Sequence, residues 1–142
     1  MRVEIRDLQT KIKIDKKEIA RCAKFVLRAM GEHNAELSLL FVKDYYIKEL
    51  NRKYRKINSR TDVLVFAMRE GQGILKDSPI LGDVVISVET AKREAKKRKL
   101  SIHKETCLYL VHGILHLLGY DDIKKRDRQI MKSKEEELMR FM

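Results

Sequence analysis

Apolar and polar residues alternate from Val3 to Leu8, the two-residue period of a strand with one face against a core, and residues 11–14 resume that period after a turn. Asp15-Lys16-Lys17-Glu18 has the form of a capping box. Beyond it Ile19, Cys22, Ala23, Val26, Leu27 and Met30 recur at three- and four-residue intervals, which predicts a helix buried along one stripe and ending near Gly31. Residues 36–42 read as a second strand, residues 45–55 as a helix with Tyr46, Ile47, Leu50 and Tyr54 turned inward, and residues 63–68 as a third strand. Residues 71–79 carry two glycines and the chain's one proline and read as an exposed loop. The run from Val84 to Val88 is apolar at four of five places, the pattern of a strand buried on both faces. A polar, basic helix over residues 89–99 follows. The next helix, residues 103–118, is apolar almost all round in its second half and therefore belongs at the centre of the molecule. Residues 123–142 form a last amphipathic helix.

No repeat, low-complexity tract or compositional break divides the chain, and 142 residues suffice to bury a core without disulfides. The expectation is one domain over residues 1–142 of α+β class: a small mixed sheet of about four strands, with helices packed around one buried helix. No charged leader precedes an apolar run, and no apolar stretch approaches the roughly 18 residues of a membrane span, so the expected location is the cytoplasm. Cys22 and Cys107 lack metal or disulfide spacing and read as small buried hydrophobes of a reducing compartment.

Charge changes the picture. Thirty-two Lys and Arg against 21 Asp and Glu leave a formal net charge of +11, which attracts polyanions, with RNA the obvious partner class. A heat-adapted surface rich in ion pairs explains a high charge content but not an excess of one sign.

The chemistry is concentrated in residues 112–122, His-Gly-Ile-Leu-His-Leu-Leu-Gly-Tyr-Asp-Asp. On a helix, His112 and His116 stand one above the other and can share one metal ion. Gly119 is where that helix can end, since glycine takes the left-handed conformation at little cost, and the chain can then return Asp122 to the open side of the ion. Asp121 stands beside it as an alternative donor. Two imidazoles and a carboxylate suit one zinc per chain, other divalent transition metals being possible. Three protein ligands leave a position open, as in catalytic rather than structural zinc sites. His33 and His103 lie outside this pattern and read as surface or capping residues. Glu105 and Tyr109 share the helical stripe of His112, either as partners behind a ligand or as packed polar groups.

The spacing His-x3-His-x2-Gly-x2-ligand is similar to that of the metzincin metalloproteases, but their general-base glutamate after the first histidine is replaced here by Gly113. This argues against proteolysis by that mechanism. The run resembles more closely the YbeY family of bacterial ribosomal RNA maturation factors, matching its His-Gly-x-Leu-His-Leu-x-Gly-Tyr-Asp-His signature from His112 to Asp121, with Asp122 where the family has histidine. Leu50-Asn51, Tyr54-Arg55, Thr61-Asp62-Val63-Leu64 and Phe66 resemble a second family segment, with Val65 where serine is usual. Leu81-Gly82-Asp83-Val84-Val85-Ile86-Ser87 resembles a third. The resemblance implies a zincin-like arrangement and a metal-dependent endoribonuclease of ribosomal RNA processing and ribosome quality control, acting on ribosomal RNA and ribosomal particles. It carries the family's functional arginine onto Arg55, whose guanidinium can hold two phosphate oxygens and steady charge at phosphorus. It also puts Asp83 and Ser87 among residues that orient the site.

Basic residues cluster at Arg52, Lys53, Arg55, Lys56 and Arg60, again from Lys92 to Lys99, and at Lys124, Lys125, Arg126 and Arg128. Any one such run is more often a solvated helix face than a phosphate contact. Proximity to the motifs makes Arg52, Lys53, Lys56, Lys124, Lys125 and Arg126 the RNA-binding candidates. A non-catalytic RNA-binding assembly factor with a structural metal is the alternative to a nuclease, and a zinc protease lacking its base is the third reading.

Overall fold

The computed structural model describes residues 1–69 and 78–142. Its elements run β1 (Arg2–Asp7), α1 (Lys16–Ala29), β2 (Glu36–Val42), α2 (Asp44–Arg55), β3 (Val63–Ala67), β4 (Ile80–Ser87), α3 (Val88–Arg98), α4 (Ile102–Leu117) and α5 (Lys125–Met139). The sheet order is β1-β2-β4-β3, with β1, β2 and β4 parallel and β3 antiparallel to β4. The α+β class and the mixed four-stranded sheet agree with the sequence pattern.

Two apolar layers flank the sheet. The larger joins Leu37, Leu39, Phe41, Val84 and Ile86 to α1 and α4, and Met131 and Leu138 of α5 close it from outside. The smaller sits under α2 and contains Val42, Ile47, Leu64 and Val85. Strand β4 feeds both layers, which is why its sequence shows a run instead of an alternation. Leu110, Val111, Ile114 and Leu115 of α4 are completely buried, with the sheet, α1, α3 and α5 around them. Two glycines set the approach of these layers. A Cβ on Gly82, at φ +139°, would lie 2.1 Å from the carbonyl oxygen of Phe66, and one on Gly113 would lie 2.7 Å from Cγ1 of Val84. Glycine at 82 lets β3 pair closely, and glycine at 113 lets α4 lie directly on the sheet.

The expected strand continuation at residues 11–14 does not form. Buried Gln9 closes a turn there: its Nε2 donates to Asp7 Oδ1 (2.8 Å) and to the Ile12 carbonyl (2.7 Å), and its Oε1 accepts from the Ile12 N–H (2.9 Å). Main-chain groups that a strand would pair are satisfied by one side chain. Tyr46 and Tyr54 are not inward but exposed, 42% and 56%, because the layer under α2 is narrow and Ile47 and Asn51 fill it. The strand expected at 84–88 begins earlier and ends one residue sooner, since the Ser87 hydroxyl accepts from the Thr90 N–H and starts α3 at Val88. The last helix is shorter than expected, Lys125–Met139. Of the loop expected at 71–79, residues 71–77 lie outside the described residues. Cys22 and Cys107 are free and buried.

Candidate metal centre

His112 and His116 occupy the last two turns of α4, their rings 4.7 Å apart between centroids at 77° and their Nε2 atoms 3.1 Å apart. The helix then stops in a Schellman turn: the Tyr120 N–H reaches the Leu115 carbonyl and the Gly119 N–H that of His116, with Gly119 at φ +101°. The reversed chain brings Asp122 Oδ2 to 3.4 Å from His116 Nε2 and 3.7 Å from His112 Nε2. Asp121 does not join them. Its Oδ1 accepts from the main-chain N–H groups of Asp122 (2.7 Å) and Ile123 (3.1 Å), and so holds the loop that aims Asp122. Among the described residues His112, His116 and Asp122 are the one group of three such donors placed to share an ion. Separations of 3.1–3.7 Å are those of donors about 2.0–2.2 Å from a common zinc-sized ion.

A fourth residue, absent from the sequence reading, completes the geometry. Glu135 of α5 accepts a hydrogen bond from Nδ1 of His112. This places the ring proton on Nδ1 and leaves the Nε2 lone pair facing His116 and Asp122. Burial alone disfavours the imidazolium of His112. The hydrogen bond and charge of Glu135, aided by the charge of Asp122, outweigh it and raise the pKa above the ordinary histidine value. Glu135 lies 23 residues beyond His112, beyond the reach of any local spacing. Its one sequence signal is a carboxylate four residues after Met131 and three before Leu138, both buried, hence on the inward stripe of α5.

A cavity of about 650 Å³ runs from these histidines past the edge of β3 to Tyr54 and Arg55 on α2. Arg55, 57 residues before His112 in the chain, therefore shares one space with the cluster, and its side chain is exposed. The six RNA-binding candidates do not wall this cavity. Arg52 pairs with Glu49 (2.8 Å), Lys53 lies over the Tyr54 ring, and Lys56 caps α2 in a left-handed conformation at φ 60°. Lys124, Lys125 and Arg126 are exposed at the start of α5.

Other candidates have structural surroundings. Glu105 is fully buried with its carboxylate 3.4 Å from Arg98, and Tyr109 carries a buried hydroxyl; neither hydrogen-bonds His112, and burial pushes the pKa of each upward. Ser87 belongs to a separate network, donating to Asp44 Oδ1 (2.6 Å), and Asp83 is exposed. His33 is exposed, and His103 lies 3.6 Å from the Cys107 sulfur. Gly113 occupies the place of the metalloprotease base and abuts Val84 in the core, so the Cβ of a glutamate there would meet the Val84 methyl groups and fit only if that side chain or α4 shifted.

A mixed sheet carrying a two-histidine, one-carboxylate cluster at the end of its central helix defines a small α+β domain with a candidate metal centre. The chain belongs to the YbeY family, since the family model described as endoribonuclease YbeY matches residues 4–142. Among curated relatives, an endoribonuclease YbeY of Pelotomaculum thermopropionicum is 45% identical over 98% of this chain and 95% of its own. One of Desulforamulus reducens is 40% identical over the same shares. One of Aquifex aeolicus is 47% identical over 80% of this chain and 74% of its own. A solution structure of a Thermotoga maritima protein shares the fold, with a TM-score of 0.64 and 22% identity over 96% of this chain and 86% of that one.

Proposed function

We propose that this protein is a metal-dependent endoribonuclease that cuts ribosomal RNA during ribosome maturation and quality control in the cytoplasm. The observation that carries the reading is the shared cavity, with a three-donor cluster at one end and an exposed guanidinium at the other. Membership of a family whose relatives are named endoribonucleases supports it.

In this reading His112, His116 and Asp122 hold one zinc ion. The donor set fits, since the three donor atoms lie 3.1–3.7 Å apart and Glu135 keeps one of them in the ligating tautomer. Bound zinc supplies Lewis acidity and an acidified water. Arg55 binds two oxygens of the phosphate and opposes the charge that grows on it during cleavage. Lys124, Lys125 and Arg126 sit at the end of α5 where the helix dipole disfavours cations, so a polyanion, not the helix, is the partner that stabilises them. Among the described residues no helix is long and apolar enough to cross a membrane.

The test compares metal-loaded, chelated and His116→Ala protein on ribosomal RNA. The loaded wild type cuts, and the other two neither retain the ion nor cut. Binding of ribosomal particles without cleavage under any metal condition would replace the nuclease by the assembly factor.

A further inference from the structure

The far end of the cavity from the metal centre is shaped by groups that the nuclease reading does not yet use. Tyr54, on the last turn of α2, keeps 56% of its surface exposed. Its ring is nevertheless held: Phe66 of β3 meets it edge to face, with centroids 5.4 Å apart and planes at 78°. Such a contact takes up at most one face of the Tyr54 ring. The other neighbour is Lys53, whose Nζ lies 5.2 Å from the ring centroid on a flexible, exposed side chain that an incoming planar group can displace. The result is a fixed, exposed aromatic surface on the cavity wall beside the exposed side chains of Arg55 and Lys53.

Strand β3 adds hydrogen-bonding capacity to the same wall. It pairs with β4 through alternate residues, as the bonds from the Ser87 N–H to the Asp62 carbonyl and from the Met68 N–H to the Leu81 carbonyl show. By the alternation of an antiparallel ladder, Leu64 and Phe66 face β4, and Val63, Val65 and Ala67 turn their main-chain groups to the free edge. Those three residues line the cavity. The Val63 N–H is taken by Asp62 Oδ1, and no strand among the described residues pairs with this edge. A volume of about 650 Å³ lies within the roughly 300–1,000 Å³ of small-ligand sites and accommodates a nucleotide.

We propose that Tyr54 is a nucleobase-stacking residue: the base next to the phosphate held by Arg55 lies on the Tyr54 ring, with its edge toward the free edge of β3. The proposal rests on the ribonuclease reading and deepens it. It makes the cavity a nucleotide subsite, in which stacking fixes how far the scissile phosphate lies from the metal donors. Stacking is tolerant of base identity, so Tyr54 supplies register along the strand, and any base preference arises at the β3 edge.

The experiment uses metal-loaded full-length protein and a short oligoribonucleotide carrying 2-aminopurine at successive positions, with melting temperature and metal content as controls for each variant. Wild type quenches the fluorescence at one position near the cleaved bond. Tyr54→Phe, which keeps the ring, keeps the quench, and Tyr54→Leu loses it and raises KM about 10-fold or more with a smaller change in kcat. An abasic nucleotide at that position abolishes the difference between wild type and Tyr54→Leu, a result that a purely structural role for Tyr54 cannot produce. If wild type cuts and Tyr54→Leu shows the same quench and KM, the stacking site is overturned and the nuclease stands. Equal losses in Tyr54→Phe and Tyr54→Leu also overturn it, by making the hydroxyl the functional group. Absence of both binding and cleavage in wild type removes the nuclease reading and this subsite together.

Discussion

At the scale of single residues, the centre divides into parts visible along the chain and a part visible only in three dimensions. His112, His116 and Asp122 were legible because one helical turn and one glycine bring them together, and both signals are local. The choice between Asp121 and Asp122 was not, because it depends on which carboxylate the loop consumes for its own main chain. Asp122→Ala should weaken metal binding by about 10-fold or more, and Asp122→His should keep it, as titration against a competing chelator will measure. Equal affinities in wild type and Asp122→Ala would return the role to Asp121 or to water. Glu135 escaped the sequence reading because α5 reaches His112 only through tertiary packing. Glu135→Gln keeps an acceptor for Nδ1 but removes the charge, so the His112 pKa should fall, visible in the ring-proton titration of the metal-free protein. Metal affinity should fall by about 10- to 100-fold in the same variant. An unchanged titration would mean that the charge of Glu135 does not reach the ring.

At the scale of elements, periodicity found every strand and helix of the described residues. It failed where side chains replaced main-chain pairing. Gln9 ends β1 by closing a turn, and the helical spacing of Tyr54 predicts an inward ring that the narrow layer under α2 leaves exposed. The contact between α2 and α3 was invisible from sequence and is held by Asp44. Its Oδ1 accepts from Ser87 (2.6 Å) and Thr90 (2.7 Å), its Oδ2 pairs with Arg93 (2.8 Å), and its own N–H donates to Glu89 (2.9 Å). Burial works against the Asp44 carboxylate, but Arg93, Ser87 and Thr90 outweigh it and hold its pKa down at about 2. A carboxylate whose folded pKa is depressed stabilises the fold above its unfolded value and loses that contribution as pH falls through its folded value. Wild type should therefore exceed Asp44→Asn by about 2 kcal/mol at neutral pH, and the gap should close between about pH 4 and pH 2 in urea unfolding. A gap independent of pH would assign the effect to geometry rather than charge.

At the scale of the whole molecule, the net charge of +11 was the one global property readable from composition, and its distribution matters more than its size. The metal centre itself carries acidic groups, Asp122 and Glu135, whereas clusters of exposed cations lie on α2, on α3 and at the start of α5. In the proposed reading these surroundings draw RNA, and a bound divalent ion offsets the charge of the two carboxylates at the centre. Affinity for RNA should fall steeply between low and physiological salt, and replacing Lys124, Lys125 and Arg126 together should reduce the slope of log K against log salt by about three. An unchanged slope would remove the α5 start from the interface.

The close seat of Gly113 on Val84 bears on how this enzyme can diverge. A side chain at 113 would meet the methyl groups of Val84, so it requires a smaller residue at 84 or a shift of α4, whereas Asp122 and Glu135 lie in a loop and on α5, outside that contact. A proton acceptor in the place the metalloproteases use therefore needs two coupled changes, one at 113 and one at 84, and the step toward peptide cleavage meets a packing obstacle before any chemical one.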